Sequence, residues 1–296
     1  MRILYCGGCW DTNIGNAFID YGCMELIKCH DIIFKSEKTE KIFGAKYGLY
    51  FNHCFDMGID MAIFSGMVLC STFFCDQKGV LDVLQRNNIP VVINGGGGFN
   101  YSVDEVNETK KLLRKYTCIK AIITRDDTAY SKYHDDVEFT YSGIDVAFFV
   151  PDIQKFVWLK TQKKIYNVIN EVEFGNKSEI PYNDYVYTVH TSNSGKLKSK
   201  NWCSHSKILV SELPEEYIYL YAQTVNLCAS RIHAGIIGLA FGANVKIVSS
   251  SPRKDIFYKV GCGGISNSYV NIDRAIIDRQ KKDHKKCLER FINELR

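Results

Sequence analysis

Along the first half of the chain, short apolar runs alternate with longer stretches in which apolar positions recur every three or four residues. The runs at 2–7, 60–65, 90–94, 119–123 and 137–141 predict strands; the amphipathic stretches near 14–29, 78–88, 103–116 and 126–134 predict helices. Val91-Val92-Ile93 and Ile122-Ile123 are apolar at consecutive rather than alternate positions, as in a strand covered on both faces. Strand and helix in alternation imply a parallel sheet with helices on both sides.

Asp145-Val146-Ala147-Phe148-Phe149-Val150-Pro151 closes this unit, because Pro151 permits neither a continued helix nor a central strand. A domain boundary is therefore expected there, giving units 1–151 and 152–296. Residues 152–184 are mixed and polar, with a turn at Gly175-Asn176-Lys177-Ser178, and predict no regular element. Beyond them the pattern predicts strands at 185–190, 207–211, 245–249 and 269–271 and helices near 214–228, 233–242, 253–260 and 274–294. The last helix is charged and amphipathic and is expected to pack across the junction, with Lys281, Lys282, Lys285 and Lys286 on a solvated face.

The segment Ala229-Ser230-Arg231-Ile232-His233-Ala234-Gly235 puts two basic side chains at the mouth of a helix too apolar to face water. Helix N-termini already favour anions, so the pair points to a phosphate or carboxylate. A surface arginine and a structural histidine would account for the same two residues. Gly95-Gly96-Gly97-Gly98 follows the strand at 90–94, where glycines permit positive φ or close approach of main chain to a ligand; a flexible turn is the other reading. The run lacks the spacing of either nucleotide-binding glycine motif. Arg125 is expected at the carboxyl edge of a strand, where open α/β sheets bind ligands, although Asp126 or Asp127 could pair with it. Arg2 to Gly8, leading into Asp11-Thr12-Asn13-Ile14-Gly15-Asn16, reads as a first strand, glycine turn and helix.

Taken in order, Asn13-Ile14-Gly15-Asn16, Gly95 to Gly98, Arg125-Asp126, Gly143 to Ala147, Arg231-Ile232-His233 and Ser251-Pro252-Arg253-Lys254 resemble the polysaccharide pyruvyl transferases. The Arg-x-His segment is the specific part, and Asn16 stands where that family usually has an acid. The resemblance implies an α/β fold of two Rossmann-like domains in a GT-B-like arrangement with a cleft between them, the first on the acceptor side and the second holding the anionic donor. It also implies transfer of the pyruvyl group of phosphoenolpyruvate to a saccharide or lipid-linked saccharide hydroxyl as a ketal, without a cofactor or metal. His233 and Arg231 are then the candidate catalytic residues. Arg125, Arg253, Lys254, Asn13, Gly15, Gly96, Gly97, Gly98 and Asp145 are candidate substrate-binding residues. Asp11 and Asp145 could accept from sugar hydroxyls, with helix capping as the ordinary reading of each.

Composition narrows the alternatives only a little. A 296-residue chain, 46% hydrophobic, suits two ordinary cores. A formal charge of +4 gives no case for nucleic acid. No run of roughly 18 apolar residues predicts a membrane span, and Met1-Arg2 leads directly into a strand without a signal-peptide pattern, so a reducing, cytoplasmic setting is expected for the twelve cysteines. Cys6-Gly7-Gly8-Cys9 is unaccompanied by further metal-ligand spacing. A nucleotide-sugar glycosyltransferase would use the same architecture with a ribose-clamping Glu in the second domain, for which Glu212, Glu215 and Glu216 offer no telling context. A non-catalytic saccharide- or partner-binding homologue is the third reading.

Overall fold

The computed structural model describes residues 1–8, 13–36, 58–172, 181–190, 207–249 and 251–295. Asp11, Cys9 and the turn at 175–178 lie outside them. The first sheet is built from β1 (Arg2–Gly7), β2 (Asp31–Ser36), β3 (Met61–Gly66), β4 (Val91–Gly96), β5 (Ile119–Thr124) and β6 (Phe139–Ser142), in the order β2-β1-β3-β4-β5-β6. Every pairing in it is parallel. Its crossovers carry α1 (Ile14–Ile27), α2 (Ser71–Asp76), α3 (Lys78–Arg86), α4 (Val103–Lys115) and α5 (Asp127–Tyr133). Ile3, Leu4, Val91, Val92, Ile122 and Ile123 are completely buried, as two-sided coverage demands.

The second sheet runs β11-β10-β7-β8-β9, again parallel throughout, from β7 (Tyr166–Asn170), β8 (Val186–Val189), β9 (Ile208–Val210), β10 (Thr224–Ala229) and β11 (Asn244–Ile247). Helices α6 (Pro214–Ala222) and α7 (Ile232–Ala240) flank it, and α8 (Arg274–Glu294) closes the chain. Within this unit the strands follow a 3-2-1-4-5 order, which is Rossmann-like.

Several local expectations change. The helix expected over 214–228 ends at Ala222, where Thr224 Oγ1 donates to Leu220 O (2.9 Å), and the remainder is strand β10. That strand is hard to see because Asn226 occupies a strand position; its amide donates to Asn167 on β7 (3.0 Å) and accepts from Asn244 on β11 (3.2 Å), a polar ladder across three strands. Residues 152–184, expected to be irregular, contain 3-10 turns at Gln154–Thr161 and strand β7. Residues 269–271 form no strand; Val270 makes a single antiparallel bridge to Val245. The helix expected at 253–260 is a 3-10 helix, Pro252–Val260. Strand β2 carried no expectation, and its residues Ile32 and Ile33 are only half-buried.

The two units meet on the 3-10 turn Val146–Asp152, whose residues Val146 to Pro151 are all buried. On one side this turn packs on α1, on the other on α7, a helix in which every residue is buried. Helix α8 returns to the first sheet, where His284 is fully enclosed. The backbone N–H of Ile144 donates to its Nδ1 (3.2 Å), so Nε2 carries the proton and donates to Asn94 Oδ1 (2.7 Å). Phe291 stacks obliquely on Phe139, with ring centres 5.7 Å apart.

Gly22 is where α1 touches the turn: a Cβ there would lie 1.8 Å from the backbone oxygen of Val146. Main chain cannot yield as a side-chain tip can. Gly22→Ala is therefore expected to lower the unfolding free energy on the order of 3 kcal/mol, read as a reduced denaturant midpoint, and an unchanged midpoint would refute this contact.

Candidate active site

A cavity of about 240 Å³ opens at the carboxyl ends of β1 and β3, the neighbouring strands at which the order of the first sheet reverses. Crevices of this kind form because the loops leaving the two strands diverge to opposite faces. Gly7, Gly8, Asn13, Asn16 and Asp20 line it from the β1–α1 side, Gly66, Met67 and Phe73 from the β3 side, and Arg125 also lines it. His233 and Arg253 reach in from the second unit, so the cavity belongs to both domains.

Arg125 follows β5, its backbone N–H held by Gly96 O (3.0 Å), and its side chain is 1% exposed. The guanidinium lies 3.4 Å from Asp145 Oδ2 through Nη1, while Nε and Nη2 have no partner among the described residues. Gly97 makes this placement feasible: a Cβ at that position would sit 2.3 Å from Arg125 Nε. The glycine run thus lies behind the arginine and does not line the cavity; Gly96 ends β4, and Gly98 donates to the Tyr101 hydroxyl (3.1 Å).

Asp145 is equally buried. Its Oδ1 accepts from Ala147 N (2.9 Å), capping the 3-10 turn between the domains, and its Oδ2 faces both Arg125 and His233 Nε2, the latter at 3.5 Å. Burial opposes ionisation of this carboxyl, but His233, Arg125 and the Ala147 N–H together outweigh it and hold the group below the usual carboxylate range. The same burial drives His233 down, and Arg125 and Arg253 push in the same direction against the opposing pull of Asp145. His233 is therefore a neutral imidazole near neutrality. At 3.5 Å its Nε2 is in electrostatic contact with the carboxylate without a well-formed hydrogen bond.

Arg253 contacts Ser251 Oγ through Nε (3.1 Å), and its pKa is lowered by burial and by Arg125 and Arg231 nearby; guanidinium keeps its charge regardless. Asn13 caps α1, accepting from Gly15 N (3.1 Å), and Gly15 packs against the His233 ring. Arg231 is set back. It is the N-cap residue of α7, its Nε is paired with Glu171 Oε2 (2.7 Å), and it does not line the cavity. Glu171 in turn accepts from His190 N (2.7 Å) and adopts φ +48°. Lys254 is half-buried and also outside the lining.

The structure thus brings Arg125, Asp145, His233, Arg253 and Asn13 together and leaves Arg231, Lys254 and Gly96 to Gly98 around them. Asp20 and Gln77 are among the lining residues that carried no expectation. Asp20, on α1, accepts from the Tyr5 hydroxyl (2.6 Å) and from Gly8 N (3.1 Å). Gln77 joins α2 to α3 and is 1% exposed. The signal for each was a polar residue at an otherwise apolar position, legible only once the helix face is known.

No family model matches the sequence, and no curated protein matches it. Solved structures do. UDP-GlcNAc 2-epimerase from Methanocaldococcus jannaschii superposes with a TM-score of 0.53 at 12% identity over 95% of this chain and 92% of that one. The same enzyme in complex with UDP-GlcNAc and UDP gives 0.56 at 11% over 96% and 93%. A candidate UDP-N-acetylglucosamine 2-epimerase from Listeria monocytogenes gives 0.53 at 8% over 96% and 87%. The architecture is GT-B-like. Two Rossmann-like α/β domains face one another across the cleft that holds the cavity. Among the described residues no helix is long and apolar enough to cross a membrane.

Three buried imidazoles set a pH dependence. Burial holds His190 and His233 below their ordinary value and takes His284 to about 3. The unfolded chain protonates each of them near pH 6.5 while the native state leaves them neutral, so their contribution to stability is full above that pH and is lost as pH falls. Denaturant titrations at pH 7.5 and 5.5 should show a lower unfolding free energy at the acidic end, by up to about 1.4 kcal/mol per imidazole per pH unit. A pH-independent midpoint across this window would mean that the imidazoles titrate in the native state as they do in the unfolded chain.

Proposed function

We propose that this chain is a sugar-processing enzyme whose interdomain cavity takes a compact anionic donor, and that the reaction is pyruvyl transfer from phosphoenolpyruvate to a saccharide. The observation that carries the reading is Arg125: a buried cation with two guanidinium nitrogens lacking a partner among the described residues, in the lining of a cavity that Arg253 also enters. Leaving buried donors unmade costs about 1–3 kcal/mol apiece, a cost relieved by an anion that fills the site. The planar fork suits a carboxylate or a phosphate, and phosphoenolpyruvate carries both.

The chemistry asks little more of the chain. C3 of the enol gains a proton, and one acceptor hydroxyl attacks C2 and gives up its proton. A second hydroxyl oxygen then displaces phosphate at C2, its proton leaving with the phosphate or passing to solvent. Neutral His233 can receive a hydroxyl proton, and Asp145 beside it stabilises the imidazolium that results. Arg125 and Arg253 hold the departing phosphate and the carboxylate against the charge that develops. Because Glu171 occupies Arg231, the unsatisfied cationic capacity gathers in one small cavity, which suits a compact donor better than an extended diphosphate.

A second reading is nucleotide-sugar chemistry, favoured by the likeness to a fold whose solved complex holds UDP-GlcNAc and UDP. Calorimetric titration separates the two. Under the pyruvyl reading phosphoenolpyruvate binds, Arg125→Lys and Arg253→Ala each weaken it roughly 10- to 100-fold, and Arg231→Ala changes it much less. Saturable binding of UDP with none of phosphoenolpyruvate would instead establish the nucleotide reading.

A further inference from the structure

One residue of the cavity lining is uncharged, buried and unsatisfied. Gln77 is the residue at which α2 passes into α3, and its backbone is fully employed: its N–H donates to Phe73 O (2.8 Å) and its carbonyl accepts from Leu81 N (2.9 Å). Its side chain is not. Gln77 is 1% exposed and is one of the residues lining the cavity, with Phe64, Phe73 and Val68, and its buried Nε2 and Oε1 have no partner among the described residues. A glutamine in so apolar a setting would ordinarily be a leucine or methionine, because a buried amide without partners is destabilising and contributes no packing that an apolar side chain could not.

We infer that Gln77 is the acceptor-recognising residue of the site and that its carboxamide binds two neighbouring hydroxyls of one saccharide, one hydroxyl donating to Oε1 and the other accepting from Nε2. This rests on the pyruvyl-transfer reading for its chemical logic, since closing a ketal takes two hydroxyls of the same acceptor. A carboxamide is uncharged and offers a donor and an acceptor side by side, which matches a diol and matches neither end of phosphoenolpyruvate. The cations of the lining are Arg125 and Arg253, so donor and acceptor are read by different chemistries within one cavity. Phe64 and Phe73 beside the amide supply the apolar surface on which the C–H face of a sugar ring packs.

The test uses Gln77→Leu and does not depend on turnover. A group kept for binding should be expendable for folding, so Gln77→Leu is expected to unfold at the same temperature as wild type or higher. Thermal shifts are then recorded for both proteins with methyl glycosides of gluco, galacto and manno configuration and their 4- and 6-deoxy analogues, each with and without phosphoenolpyruvate, and with uridine. The expected result is that at least one parent glycoside stabilises wild type, that its deoxy analogue does so less, and that Gln77→Leu binds that glycoside roughly tenfold more weakly or worse while its response to phosphoenolpyruvate is unchanged. A lowered unfolding temperature in Gln77→Leu, a glycoside response equal to wild type, no glycoside response in wild type, or a uridine response that depends on Gln77 would each overturn the assignment. Absence of a phosphoenolpyruvate response alone would count against the donor, leaving the glycoside result to decide Gln77.

Discussion

The site and the domain junction both depend on one buried carboxylate. Asp145 caps the turn on which the two domains pack, and its other oxygen faces a guanidinium from the first domain and an imidazole from the second. A charge held this deep is tolerated only while its partners remain in place. Any relative shift of the domains large enough to withdraw His233 would leave the carboxylate less compensated, so the electrostatics that set up the cavity also set the distance between its walls. The protonation state of His233 follows from the same arrangement: burial and two arginines outweigh the carboxylate, and the ring is left neutral and able to accept a proton.

Packing makes this charge arrangement attainable. Gly97 leaves room for the Arg125 guanidinium, and Gly22 lets α1 lie directly on the backbone of the Asp145 turn. These two contacts, one on a side chain and one on main chain, bring the first sheet's switch point within reach of α7. Helix α8 then ties the second domain back to the first through His284, whose ring is fixed in one tautomer by the Ile144 N–H and Asn94. At the cavity, Arg125 and Gln77 hold buried donors without a partner among the described residues, and a local failure of this kind is a common mark of a functional site.

Much of the fold could be read from the chain. Parallel strands buried on both faces must be nearly continuous in apolar residues, so β1, β3, β4 and β5 are evident from composition alone. Strand β10 escaped because its Asn226 is satisfied by asparagines on its two neighbours, a compensation no local window contains. Strand β2 escaped because a partly covered edge strand needs less apolar character than a central one.

By itself, the sequence determined the alternating α/β pattern, the carboxyl-edge position of Arg125 and the grouping of Arg231 with His233, because each depends on periodicity or on neighbours along the chain. It could not decide which cation serves the cavity. Arg231 and Arg125 look alike in a sequence, and the difference lies in Glu171, sixty residues away from Arg231, which takes up one guanidinium while the other keeps two nitrogens without a partner among the described residues. The role of the glycine run was likewise settled in three dimensions, since what Gly97 must avoid is a side chain from the next strand. Gln77 and Asp20 became functional candidates only when folding turned them toward the same space, because the surroundings of a buried polar side chain are assembled from residues far apart in the chain.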